Sequence, residues 1–88
     1  PPHANYELLK AQVFLKMGHF NEARAQGELA LRRRPLDPEA WSIVVTSAIY
    51  RQDFSRLKKY RRNIKNLELP SPFKEDILTA MEAALLAP

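Results

Sequence analysis

His3 and His19 are the only imidazoles in this 88-residue sequence, and there is no cysteine. They are therefore the first places to look for catalysis or a metal. Neither histidine has a second ligand four residues on, and neither has a serine at a spacing that would make a nucleophile and base. His19 falls in a Gly18-His19 corner with Asn21 and Glu22 nearby. With two glycines in the whole chain, no glycine-rich loop can cradle a phosphate. Glu75 and Asp76 are adjacent on a predicted helix, so their carboxylates point about 100° apart and cannot work as an acid/base pair. These residue types offer recognition, not reaction. We expect no enzyme activity, no metal, no cofactor and no small-molecule substrate.

The charged residues gather in the run Arg56, Lys58, Lys59, Arg61, Arg62 and Lys65. Residues 32–65 hold ten Lys/Arg against three acids, whereas residues 66–88 hold one against four. The net charge of +4 is thus a basic middle followed by an acidic end. The basic run has three readings: a solvated outer face, a surface for an acidic protein or for the acidic end of this chain, and a nucleic-acid surface. Nucleic acid is the weakest, because only Tyr60 is interleaved as a stacking group and it falls on the apolar seam. The absence of cysteine fits a cytoplasmic protein. No apolar run approaches the roughly 20 residues that cross a bilayer.

These groups must be positioned by helices. Ala40–Tyr50 carries no charge, although 27% of the chain is charged. Read as a helix, it is apolar nearly all round and must be covered on more than one side. Asp37 is a cap, Pro38 a first helical residue and Glu39 a favourable first-turn acid, which places this central helix at about 38–51. Before it, Tyr6, Leu9, Val13 and Met17 form one apolar stripe of a first helix and Leu8, Ala11, Phe14 and Leu15 another, so two things should pack on it. Gly18 suits a left-handed C-cap. Asn21 is expected to cap a second helix, about 21–34, whose small Ala23, Gly27 and Ala30 would let it approach the first closely before Pro35 ends it. Leu57, Tyr60, Ile64 and Leu67 give the seam of a fourth helix, about 54–68. Ser71-Pro72 would open a fifth, to about 87, as Asp37-Pro38 opens the third, with Phe73, Ile77, Ala80, Met81, Ala84 and Leu85 facing inward. The expectation is an all-α chain of five helices, one domain over 1–88.

A shift of 34 residues superposes Phe20 on Phe54, Pro38 on Pro72 and the helix pair 4–35 on 38–69. This pattern resembles the tetratricopeptide repeat family. The matching residues are Ala11, Phe14, Gly18, Phe20, Ala23, Ala30 and Pro35 in the first unit. Trp41, Val44, Phe54 and Leu57 match in the second, with Pro70 one position late. The chain departs from the family at Gly27, Val45, Ala48 and Gln52. The resemblance implies a stack of two antiparallel helix pairs with a capping helix at about 72–87. Glu7 and Lys10 stand where the second unit has Trp41 and Val44, which would make the first unit a true N-terminal end.

The resemblance also implies a concave wall lined by Asn5, Leu8, Gln12, Leu15 and Lys16, then Ser42, Thr46, Ile49 and Tyr50, then Phe73, Asp76 and Ala80. Some family members clamp a peptide carboxylate with Lys and Asn. Here those places hold Asn5, Leu9, Glu39 and Ile43, so no clamp is expected. A wall of this composition suits the apolar face of a partner's helix or an extended apolar segment. In size and layout, on Gly18–Phe20, Asp37–Trp41 and the Pro72-led last helix, the chain is similar to the small cytoplasmic chaperones of bacterial type III secretion. That implies an adaptor or chaperone holding a secretion subunit.

Overall fold

A computed structural model describes residues 5–87; His3 and Ala4, the first residue of the opening unit, lie outside them. Five helices follow in order: α1 (Tyr6–Lys16), α2 (Phe20–Arg33), α3 (Pro38–Tyr50), α4 (Phe54–Lys65) and α5 (Phe73–Leu86), with no strand among the described residues. They pack as helical hairpins in a stack, α1 on α2 and α3 on α4, with α5 at the far end. Only α3 touches all four others.

The caps explain where α3 begins. Asp37 accepts a hydrogen bond from the Glu39 backbone N–H at 3.0 Å, and Pro38 occupies the first turn. Its flanks are covered as its composition requires: Ala40, Trp41, Ile43, Val44, Val45, Ser47 and Ala48 are all buried. The larger core lies among α3, α4 and α5, where Trp41, Val44 and Val45 meet Leu57, Tyr60, Ile64, Ile77 and Met81. The indole N–H of Trp41 donates to the Pro35 carbonyl at 2.7 Å, and its ring meets Tyr60 edge-on at 5.9 Å. A smaller core joins Ala11, Ala23 and Ile43 from the first three helices.

The 34-residue period reappears in the backbone. The His19 N–H donates to the Phe14 carbonyl and that of Gly18 to Leu15; the Asp53 N–H donates to Ala48 and that of Gln52 to Ile49. Both α1 and α3 therefore end in the same Schellman turn. Gly18 holds its left-handed position at φ 76°, and Gln52 holds the equivalent one at φ 55°. The second unit thus keeps the turn without the glycine, at a cost of about 1 kcal/mol in backbone strain.

Four expectations about helix ends and burial need correction. Asn21 does not cap α2; the helix starts at Phe20, with His19 at the cap position and no side-chain cap bond. Helix α4 stops at Lys65 rather than 68, because the Asn66 side-chain amide donates to the Arg62 carbonyl, and the chain turns to bury Leu69. Pro72 stands before α5 rather than inside it, and the Ser71 hydroxyl donates to the Glu75 carboxylate instead of capping backbone. Ala80 is exposed.

The close approach made by Gly27 is to α3, not to α1. A Cβ at Gly27 would lie 2.6 Å from Val44 Cγ1 and 3.6 Å from Ile43 Cγ2. Val44 is fully buried and β-branched, so it has no rotamer to retreat into. For Gly27→Ala, a helix-propensity gain of about 1 kcal/mol competes with an overpacking cost of about 1–3 kcal/mol. We expect a net loss of about 1 kcal/mol in urea unfolding, and Val44→Ala should cost less in the Gly27→Ala background than alone. Additive effects would mean that the two groups do not collide.

Candidate functional site

Helices α3 and α5 lie side by side and leave a groove of about 220 Å³ between them, lined by Ser42, Thr46 and Ile49 on one side and Phe73, Asp76 and Ala80 on the other, with Val45 and Ile77 below. Their spacing explains the placement. Ser42, Thr46 and Ile49 recur at four and three residues along α3, and Phe73, Asp76 and Ala80 at three and four along α5, so each set forms one ridge. Asp76 is the single charged group of the lining. The volume has room for one or two apolar side chains rather than a whole helix.

The wall expected from the sequence is not continuous. Leu8 and Leu15 are half-buried against the Ala11–Ala23–Ile43 cluster, which makes them core to α1 and not groove. The Asn5 side-chain oxygen accepts from Arg34 Nη1 at 2.7 Å. Gln12 donates through Nε2 to the Glu39 carboxylate, which bridges α1 and α3. Lys16 is exposed at the edge of a different hollow, with Leu9, Gln12, Val13 and Leu15. Tyr50 is 67% exposed and lies flat against Phe20, ring centres 4.8 Å apart, away from the groove. Its ring is neither buried nor part of the lining. Contact between α1 and α5 is absent among the described residues, so the Leu8/Leu15 stripe is not covered by the last helix.

On the opposite side, α2 and α4 are joined by a polar network. The Tyr60 hydroxyl donates to Glu28 at 2.5 Å, Arg24 pairs with Glu28 at 2.9 Å, and Arg56 pairs with Asp53 at 2.7 Å and approaches Glu28 at 3.9 Å. Burial first, and then the hydrogen bond to Glu28, push the Tyr60 hydroxyl above the usual tyrosine value. Arg56 is therefore a structural cation, and Arg61 is half-buried. Lys58, Lys59, Arg62 and Lys65 are exposed and make no salt bridge among the described residues. The acids of α5 do not neutralise them. The tie between α4 and α5 instead comes from Lys74, which the sequence reading did not single out. Its ammonium donates to the Lys65 and Leu67 carbonyls at 3.2 and 2.8 Å and caps the C-terminal end of α4. A lone lysine two residues after a proline carries no pattern that would announce this.

His19 is exposed, with Nδ1 4.0 Å from the Glu22 carboxylate and its ring stacked on Phe14 at 6.1 Å. No group of metal-ligating side chains forms among the described residues. Nor is any helix of the described residues long and apolar enough to cross a membrane. No protein-family model, curated protein or solved structure matches the chain.

Asp53 caps α4 by accepting from the Arg56 backbone N–H at 3.2 Å while its other oxygen holds the Arg56 guanidinium. The Arg56 guanidinium, and then its backbone N–H, hold the Asp53 carboxyl below the ordinary aspartate range. A carboxyl with a lower pKa folded than unfolded stabilises fully above its unfolded value and loses that contribution as pH falls through the folded one. Asp53→Ala is expected to cost about 1 kcal/mol at neutral pH, chiefly through the lost cap. The gap in thermal midpoint from the parent should begin to narrow below about pH 4, where the carboxyl of the unfolded chain starts to protonate, and close further as pH falls through the lower folded value. A gap that widens on acidification would contradict the assignment.

Proposed function

We propose that the chain is a non-catalytic polypeptide-binding module, a tetratricopeptide-like adaptor or chaperone, which seats apolar anchor residues of an amphipathic helix or extended segment between α3 and α5. The observation that carries this is the composition of the groove: Ile49, Phe73, Val45 and Ile77 supply apolar walls, and Ser42 and Thr46 supply hydroxyls that can meet a partner's backbone. Asp76 at the edge favours a partner with a lysine or arginine beside its apolar anchors. A subunit of a secretion system is one partner of that chemistry, and a cytoplasmic setting would suit a chain without cysteine.

The test is selection from a displayed library of short peptides on the immobilised chain, followed by titration of the enriched peptides. Peptides with apolar anchors should dominate. Ala80→Arg and Thr46→Arg each place a long cation in the groove at a position with room for it on the surface, and each should weaken binding about tenfold or more with unchanged helicity. Peptides that bind both variants as well as the parent would rule the groove out.

A second reading has its own observation, the four cations of α4 that are exposed and form no salt bridge among the described residues. Such a surface fits an acidic protein segment better than nucleic acid, because Tyr60, the one aromatic ring within 56–65, is buried. Polyglutamate should then bind with an affinity that falls steeply with salt and should be lost on Lys59→Glu, Arg62→Glu and Lys65→Glu together. Preferential binding of a single-stranded oligonucleotide would reverse the ranking, and salt-independent binding would end this reading.

A further inference from the structure

Helix α1 turns a row of apolar side chains away from its neighbours. Tyr6, Leu9, Val13 and Met17 are each 57–58% exposed. Leu9 and Val13 form a ridge with a hollow on either side, one of about 430 Å³ edged by Lys16 and one of about 200 Å³ edged by Lys10. Isolated exposed apolar residues are ordinary, but a contiguous row with hollows marks a contact surface.

The repeat indicates what kind of object belongs there. Thirty-four residues on, Tyr6, Leu9 and Val13 correspond to Ala40, Ile43 and Ser47, all buried. There the cover is α2, whose Gly27 lies against Ala40, Ile43 and Val44. The equivalent cover for α1 is a helix with a small-residue face, seated as α2 is seated on α3.

The far end of the stack presents such a helix. The outward side of α5 carries Thr79, Ala83 and Leu86, the last 84% exposed. Thr79 is exposed, and its hydroxyl is satisfied by the Glu75 carbonyl at 2.9 Å. Glu75, Asp76 and Glu82 border this strip and are exposed. Among the described residues neither these acids nor Lys10 and Lys16 form a salt bridge. One end of the stack thus offers a bulky apolar ridge edged by lysines, and the other a small-residue strip edged by carboxylates.

We propose that the chain associates head to tail, α5 of one copy covering the Tyr6–Met17 face of α1 in the next. The partner is a second copy of this chain, selected by matching apolar strips and by charges of opposite sign at their edges. Because the two faces differ, the contact is heterologous and adds copies in an open series rather than closing as a two-fold dimer. A single helix-on-helix contact is small beside a standard interface, so the association is weak and appears only at high concentration. It does not depend on what the α3/α5 groove binds.

Sedimentation velocity on the whole chain, from the micromolar to the millimolar range, should show a concentration-dependent series of dimers and longer oligomers that recedes as salt is raised. Val13→Asp sets an acid in the α1 ridge, and Ala83→Glu sets a long charged side chain in the α5 strip. Both positions are exposed, so circular dichroism should be unchanged, and each variant should self-associate at least about tenfold more weakly. Mixed together, the two variants retain one good face each and should form a one-to-one dimer that grows no further. A chain that stays monomeric throughout, self-association untouched by Ala83→Glu, a mixture that fails to pair, or association indifferent to salt would each overturn the proposal.

Discussion

The constraint on which the rest of the structure depends is the approach of α2 to α3 at a point where α2 has no side chain. Gly27 gives up helix propensity, and the space it leaves is filled by Val44, which is itself fully buried. Because α2 sits so close, it covers Ala40 and Ile43 on one flank of α3 and leaves the other flanks for α4 and α5. The two cores follow from that division. The larger one, among α3, α4 and α5, holds most of the bulky groups, while the one under α1 and α2 is built largely from alanines. The groove between α3 and α5 exists because α3 is held from behind and keeps one ridge open.

Much of this was legible in the residues. The uncharged Ala40–Tyr50 run, with Asp37, Pro38 and Glu39 before it, encodes a buried helix and its start through caps and dipole, which are local effects. The left-handed turn at Gly18 was equally plain. What could not be read were choices settled between helices. A run of small residues says that something comes close, not which helix it is, and Gly27 met α3 instead of α1. The early end of α4 turned on one amide, Asn66, reaching back to Arg62, with Leu69 buried beyond it.

The candidate groove was half legible for the same reason. Ser42, Thr46, Ile49, Phe73, Asp76 and Ala80 do share one lining, because helical spacing fixes which side chains form a ridge. The residues expected from α1 do not join them, since Leu8 and Leu15 are drawn into the smaller core and Gln12 is tied to Glu39. Periodicity reported two apolar stripes on α1 without saying which would be covered. The basic helix divides in a similar way. Arg56 is committed to Asp53 and Glu28, whereas Lys58, Lys59, Arg62 and Lys65 stay in solvent, a distinction that turns on whether an acid from another element comes within reach.

The position of α3, in touch with every other helix, also fixes how the molecule can come apart. Helix α1 rests on α2 and α3, and α5 rests on α3 and α4, so either end can detach while the middle survives. No such partial opening frees α3 itself, because its removal strips a partner from all the rest. Its amide protons should therefore trade with deuterium only when the whole chain unfolds, while those of α1 and α5 trade sooner and independently of each other. Flexibility in this fold is graded from the two ends inward, and the residues that line the α3 side of the groove stand on its slowest element.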